Sequence, residues 1–169
     1  VLFFFEKHKF DYIIHLAADV GGLFKNMNNN CSMFSNNIRI NENILEACIN
    51  FKVNRGVFIL SSCIFPHNPC TFPMDETMIH ESPPHYSNEG YAYSKRMMHI
   101  QCQNFNKTYN TEFICLVPVN LYGPYDNFKP ENSHLLPGLM HRFHNSLEYK
   151  NKFIAYGSGK PLRQMLYAT

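Results

Sequence analysis

The stretch GYAYSK, Gly90 to Lys95, places two tyrosines ahead of one lysine. On a helix Tyr91 and Lys95, at i and i+4, share a face, whereas Tyr93 points roughly the opposite way, into packing. An ammonium beside a phenol lowers its pKa from about 10, which equips the phenol to give or take a proton near neutral pH. Spacing selects Tyr91 as the partner of Lys95 but leaves open whether the pair reacts or only packs.

Other chemistry-bearing residues fall where apolar runs end. GVFILSS closes on Ser61 and Ser62, with Cys63 next. A hydroxyl there can bond a substrate oxygen or cap a backbone amide. HLAA ends on Ala17 and Ala18 before DVGG, small residues that let a ligand approach the backbone or that simply turn the chain. After Pro118 and Val119, Asn120 offers a donor and an acceptor, for a ligand or for an Asx turn, and Leu121 follows.

These positions need elements to hold them. FDYIIHLAA (10–18), GVFILSS (56–62) and TEFICLVPV (111–119) read as buried parallel strands, the first of them central. Apolar residues at Ile40, Ile44, Cys48 and Phe51 predict a helix over about 36–51, and a second runs over about 90–109. NMNNN reads as a turn, the proline-rich segment 66–89 as a loop, 137 onward as a helix, and KFIAYG as a short strand. Alternating strands and helices predict an α/β, doubly wound parallel sheet, Rossmann-like, with ligands at the carboxyl ends of its strands.

Composition agrees with an ordinary globular chain: 169 residues, 45% hydrophobic, net charge +2 with scattered basic residues. Nothing reads as a nucleic-acid surface. VLFFF is too short to span a membrane, and with no leader recognisable a cytoplasmic protein is expected. Six cysteines without a CxxC pair read as reduced thiols, and HRFH (141–144) lacks the neighbouring ligands of a metal site.

Ser61, Tyr91 and Lys95, in this order, resemble the extended short-chain dehydrogenase/reductase family. HLAADVGGLFKN, SSCIFP, PMDETMIH, GYAYSKRM, PVNLYGPYDNF, SHLLPGLMHRF and YGSGKPLRQ carry the likeness from about Tyr12 to Tyr167, and are similar to its nucleotide-sugar epimerase-reductases. The resemblance implies NADP(H) as cofactor and a GDP-sugar substrate, GDP-4-keto-6-deoxymannose, epimerised at carbons 3 and 5 and then reduced at the ketone. It implies that Tyr91 protonates the developing alkoxide, that Lys95 holds the nicotinamide ribose, and that Ser61 bonds the keto oxygen. Cys63 and His134 match the acid/base pair of the epimerisation, without a division of roles. Ala17, Ala18, Pro118, Val119, Asn120, Leu121 and His134 fall on cofactor positions. Arg142, Tyr156 and Arg163 fall on substrate positions, with arginine suited to pyrophosphate. Further implications are a homodimer through the helices near 36–51 and 90–109, the central part of the NADP-binding unit over 1–136, and the start of a substrate region over 137–169.

The sequence departs from that pattern in places. Tyr156 stands where some relatives carry tryptophan, and Asp19, unhelpful beside a pyrophosphate, is expected to point away. No GxxGxxG turn occurs, and GSG at 157–159 precedes no helix. The chain is therefore expected to cover the middle of the enzyme and, alone, to bind NADPH weakly and be inactive and unstable. Alternatives are a 4-epimerase, a 4,6-dehydratase or a truncated non-catalytic relative. Dehydratases typically carry an acid near the Ser61 end, and here none occurs until Asp75.

Overall fold

The computed structural model describes residues 1–130 and 132–169, with the side chains of Leu23 and Phe24 left out of the description. Three parallel strands form its centre: β1 (Tyr12–His15), β2 (Arg55–Ile59) and β3 (Glu112–Leu116), in the order β1-β2-β3. The register aligns Ile14, Val57 and Ile114 in one row and His15, Phe58 and Cys115 in the next. Two long helices, α3 (Asn30–Asn50) and α4 (Glu89–Tyr109), pack side by side and connect the strands in parallel crossovers. They follow two short helices, α1 (Leu2–Lys7) and α2 (Leu23–Asn28).

The core lies between the helix pair and one face of the sheet. Leu45, Cys48, Val53, Phe58, Leu60, Ile64, Met98, Cys102 and Phe113 fill it, and Phe5 of α1 joins at its margin. The opposite face is different. Tyr12, Ile14, Ile114 and Leu116 stand exposed there, and Arg55 pairs with Glu112 across neighbouring strands at 2.7 Å. The expectation that the first run is a central strand buried on both faces is therefore corrected. Among the described residues β1 is an edge of this sheet, and no described helix covers its outer face.

Helix boundaries follow local chemistry. Gly90 opens α4 because the turn passes directly over α3: a Cβ there would collide with the Asn30 carbonyl. The Asn30 amide oxygen instead accepts from the Gly90 N–H at 3.1 Å. α4 ends at Asn110 in the left-handed region, and Asn106 fastens its last turn to β3. The Asn106 side-chain oxygen accepts from the Phe113 N–H (2.9 Å) and the Thr111 hydroxyl (2.7 Å), while its Nδ2 donates to the Phe113 carbonyl (2.8 Å).

Three sequence expectations shift. NMNNN is not a turn segment but the end of α2, a break at Asn29, and the start of α3. Polar composition misled there because Asn26 is buried within α2 and Asn30 begins α3. The last helix, α5, runs Leu135–Glu148, with Pro137 inside its first turn, where a missing N–H loses nothing. KFIAYG forms no strand. The strand that pairs with β4 (Asn120–Tyr122) is β5 (Met165–Tyr167), parallel and in register Asn120 with Met165, beyond a segment bent at positive-φ Gly157 and Gly159.

Candidate active site

Lys95 sits at the centre of the candidate site. Its side chain is 2% exposed, and Nζ donates to the Ile59 carbonyl, the last of β2, at 2.8 Å. Tyr91 lies one turn back on the same face of α4, with Nζ 5.8 Å from its ring centroid. The helical spacing thus places the pair at the carboxyl end of β2, as expected. Tyr93 points elsewhere, part-exposed beneath the Arg96 guanidinium at 5.5 Å rather than into packing.

Arg96 was not legible in the sequence. Buried, it donates through Nε to the Ile64 carbonyl at 2.7 Å, and its Nη2 is buried without a hydrogen-bond partner among the described residues. Lys95 and Arg96 together grip both ends of the segment from Ile59 to Ile64. Between these grips the chain makes a 3-10 turn, Ser62–Ile64, capped by Ser61, whose hydroxyl accepts from the Cys63 N–H at 3.5 Å. Ser61 therefore takes the capping role considered for it, while part-buried Cys63 stands beside Lys95 and Tyr91.

Burial governs the protonation of this cluster. It drives the Lys95 ammonium down to about 8, against the opposing pull of Cys63 and Cys115. The expected lowering of the Tyr91 phenol is corrected: burial pushes it above its ordinary value, with the Cys63 thiol adding to the rise. A desolvated phenolate loses more than this ammonium, set over the ring, returns. The Cys63 thiol is raised by burial too, opposed by the Ser61 hydrogen bond and by Lys95 and Arg96.

The other candidates form a wider ring. Ala17 and Ala18 follow β1, and Ala18 borders an open groove of about 490 Å³ with Asp19, Asn36 and Arg39. Asp19, in the same groove lining, is held by Lys25 at 2.7 Å and the Asn36 amide at 3.0 Å, of which the Lys25 bond chiefly lowers its pKa. Pro118 and Val119 are part-buried, and Asn120 and Leu121 are exposed on β4, where Asn120 Nδ2 donates to the Gln164 carbonyl at 3.1 Å.

His134 is the exposed N-cap of α5. The preceding Ser133 carbonyl lies 2.9 Å from where a Cβ on Gly22 would be, so this loop rests on the glycines that follow β1. Arg142 and Tyr156 meet, with the guanidinium 5.3 Å from the ring centroid, and together with Asn145, Tyr149 and Lys152 they line a cavity of about 360 Å³. Arg163 is exposed and lies outside that cavity lining.

A GDP-L-fucose synthase of Dictyostelium discoideum is 47% identical, over 98% of this chain and 51% of its own length. A probable GDP-L-fucose synthase of Drosophila melanogaster is 42% identical, over 97% of this chain and 53% of its own. Among solved structures, a GDP-L-fucose synthetase of Naegleria fowleri bound to NADP superposes with a TM-score of 0.86 at 45% identity, over 96% of this chain and 53% of that one. The chain spans about half the length of the relatives it matches. All of residues 1–169 match one family: the chain belongs to the NAD dependent epimerase/dehydratase family.

Proposed function

We propose that this chain carries the catalytic centre of a GDP-L-fucose synthase, converting GDP-4-keto-6-deoxy-D-mannose to GDP-L-fucose by 3,5-epimerisation and NADPH-dependent reduction. The observation that carries the reading is the buried Lys95, gripping the end of β2 beside Tyr91 and the Ser61–Cys63 turn. The names of the Dictyostelium and Naegleria relatives support the substrate and the cofactor.

The residues present fit a nicotinamide dinucleotide. Lys95 spends one of its three donors on Ile59, which leaves others for a ribose diol. Ala17, Ala18, Pro118, Val119, Asn120, Leu121 and His134 would complete the contact. When bound, the dinucleotide supplies the hydride for the ketone.

The chain's own groups supply protons and position. Tyr91, kept protonated by burial, is an acid at neutral pH, suited to deliver its proton to the oxygen as negative charge grows there. The Lys95 ammonium lies close enough to stabilise the phenolate left behind. Ser61 holds the keto oxygen and Cys63 and His134 exchange the protons at carbons 3 and 5. Lys95 and Arg96 lower the cost of a Cys63 thiolate. Arg142 and Tyr156 offer a charge and a ring to the GDP moiety, with Arg163 as a further contact.

Residues 1–136 would then be the central part of the dinucleotide-binding unit and 137–169 the start of a substrate-binding region. A homodimer is supported by Phe34, Tyr93 and Met97, exposed on α3 and α4. A cytoplasmic location fits nucleotide-sugar synthesis, and no helix of the described residues is long and apolar enough to cross a membrane.

The test is made on the full-length protein. Tyr91→Phe is expected to cut NADPH oxidation about 100-fold or more while NADPH still binds; retained turnover overturns the reading. Cys63→Ser is expected to suppress deuterium incorporation at the epimerised carbons and leave cofactor binding intact.

A further inference from the structure

A chain of buried polar groups runs from the end of β1 to the Tyr91–Lys95 turn, through residues that the proposed reaction does not use. His15, the last residue of β1, is 3% exposed, and its Nε2 lies 3.0 Å from Asn41 Oδ1 on α3. Asn41 is fully buried, and its Nδ2 reaches the Ser94 carbonyl on α4 at 3.5 Å. The Ser94 hydroxyl, in turn, donates to the Tyr91 carbonyl at 2.7 Å. The links join three elements and end on the peptide that leads into Lys95.

The donor directions are fixed by elimination. A carbonyl can only accept, so the Asn41 nitrogen faces Ser94 and its oxygen faces His15. His15 must therefore carry its proton on Nε2 and donate. A second positive charge at His15 is unfavourable, since burial chiefly, and then Lys95, oppose protonation of the imidazole. The result is a neutral, directional tether beside a buried ammonium. α3 is itself indexed to the β1 end by Asn37, which exchanges bonds of 2.9 Å with both the N–H and the carbonyl of Asp19.

Apolar contact between α3 and α4 would permit small rotations of one helix against the other, because dispersion is non-directional. A buried amide that must satisfy both its ends permits far fewer, since a broken bond leaves a desolvated polar group. Rotation of α4 is the motion that would swing Tyr91 and Lys95 together away from the end of β2.

We propose that His15 and Asn41 are positioning residues for the reduction step, holding the Ser94 carbonyl so that Tyr91 and Lys95 keep their common bearing on the end of β2. The inference rests on the functional reading above and extends it to two residues that touch neither substrate nor cofactor.

The experiment uses the full-length enzyme with three variants. Asn41→Leu keeps the volume and removes both bonds. His15→Phe keeps a ring against Phe58, now at 5.7 Å centroid separation, and removes the donor. His15→Gln restores an amide donor. Expected are a kcat for NADPH oxidation reduced about tenfold in Asn41→Leu and His15→Phe, KM for the GDP-sugar within twofold, and recovery in His15→Gln. A kcat unchanged in Asn41→Leu and His15→Phe, or a loss that His15→Gln fails to restore, overturns the proposal.

Amide hydrogen exchange across residues 91–98 separates this from the functional reading. If wild-type enzyme does not oxidise NADPH with this sugar, the functional reading fails. The tether is then judged on exchange alone. Exchange faster than wild type in Asn41→Leu and His15→Phe but not in His15→Gln supports it, and equal rates in all four proteins overturn it.

Discussion

At the scale of single residues, the site is shaped by what burial does to charge. Lys95 keeps an ammonium where water has been removed, and its pKa falls to about 8 from 10.5. Between those values the unfolded chain holds more protons than the folded one, so stability rises with pH from about 8 until Tyr91 begins to ionise in the unfolded chain near 10. At neutral pH the buried charge costs about 3 kcal/mol, offset in part by the bond to Ile59. Lys95→Met is therefore expected to melt no lower than wild type at pH 7, with the wild type gaining on it between pH 8 and 10; thermal denaturation of the cofactor-free protein across that range checks it. A stable, inactive variant is the outcome expected of a residue kept for chemistry. The pairing of Lys95 with Tyr91 could be read from spacing, since one helix turn fixes it. The direction of the Tyr91 shift could not, because it depends on how many atoms of other elements crowd the phenol. Arg96 was invisible for a related reason: its partner, the Ile64 carbonyl, is 32 residues away in sequence.

Elements were legible where one face is continuously apolar, and misread where polarity is buried. β2, β3 and α4 fall close to their expected spans, and α3 does so at its C-terminal end. α2 and the start of α3 were hidden by the asparagines of 26–30, which ordinarily mark turns but here, Asn29 aside, lie in helices, with Asn26 buried. KFIAYG has strand-like composition, yet the pairing edge of β4 is taken by Met165–Tyr167, a choice made by tertiary geometry. The joint between α4 and β3 depends on one side chain: Asn106 makes three hydrogen bonds to Thr111 and Phe113. Asn106→Ala is expected to destabilise the fold by about 1–3 kcal/mol, because the Phe113 N–H loses its partner near the core. A urea titration should show the midpoint falling with the slope unchanged.

At the largest scale, the described residues cover one face of the sheet and leave the other uncovered. Tyr12, Ile14, Ile114 and Leu116 stand on the bare side, and the expected α/β layering is present only on the other. The outer surfaces of α3 and α4 are the second large apolar feature, and there the proposed dimer is testable. In the full-length protein, Met97→Glu is expected to give monomers by light scattering after size exclusion, since a carboxylate on each copy would face a desolvated contact. A dimer unchanged by this substitution places the contact elsewhere.

The grip of Lys95 and Arg96 on the segment 59–64 has a consequence for how such a protein can be altered. Both cations hold backbone carbonyls, those of Ile59 and Ile64, and neither depends on the side chains of Ser61, Ser62 or Cys63 for its hold. A carbonyl is the same whatever residue carries it. The mount is thus separate from the reagents it presents, and reagents on this turn can be exchanged without unseating it. A designer can begin substitutions at Ser62 and Cys63 and leave α4 alone.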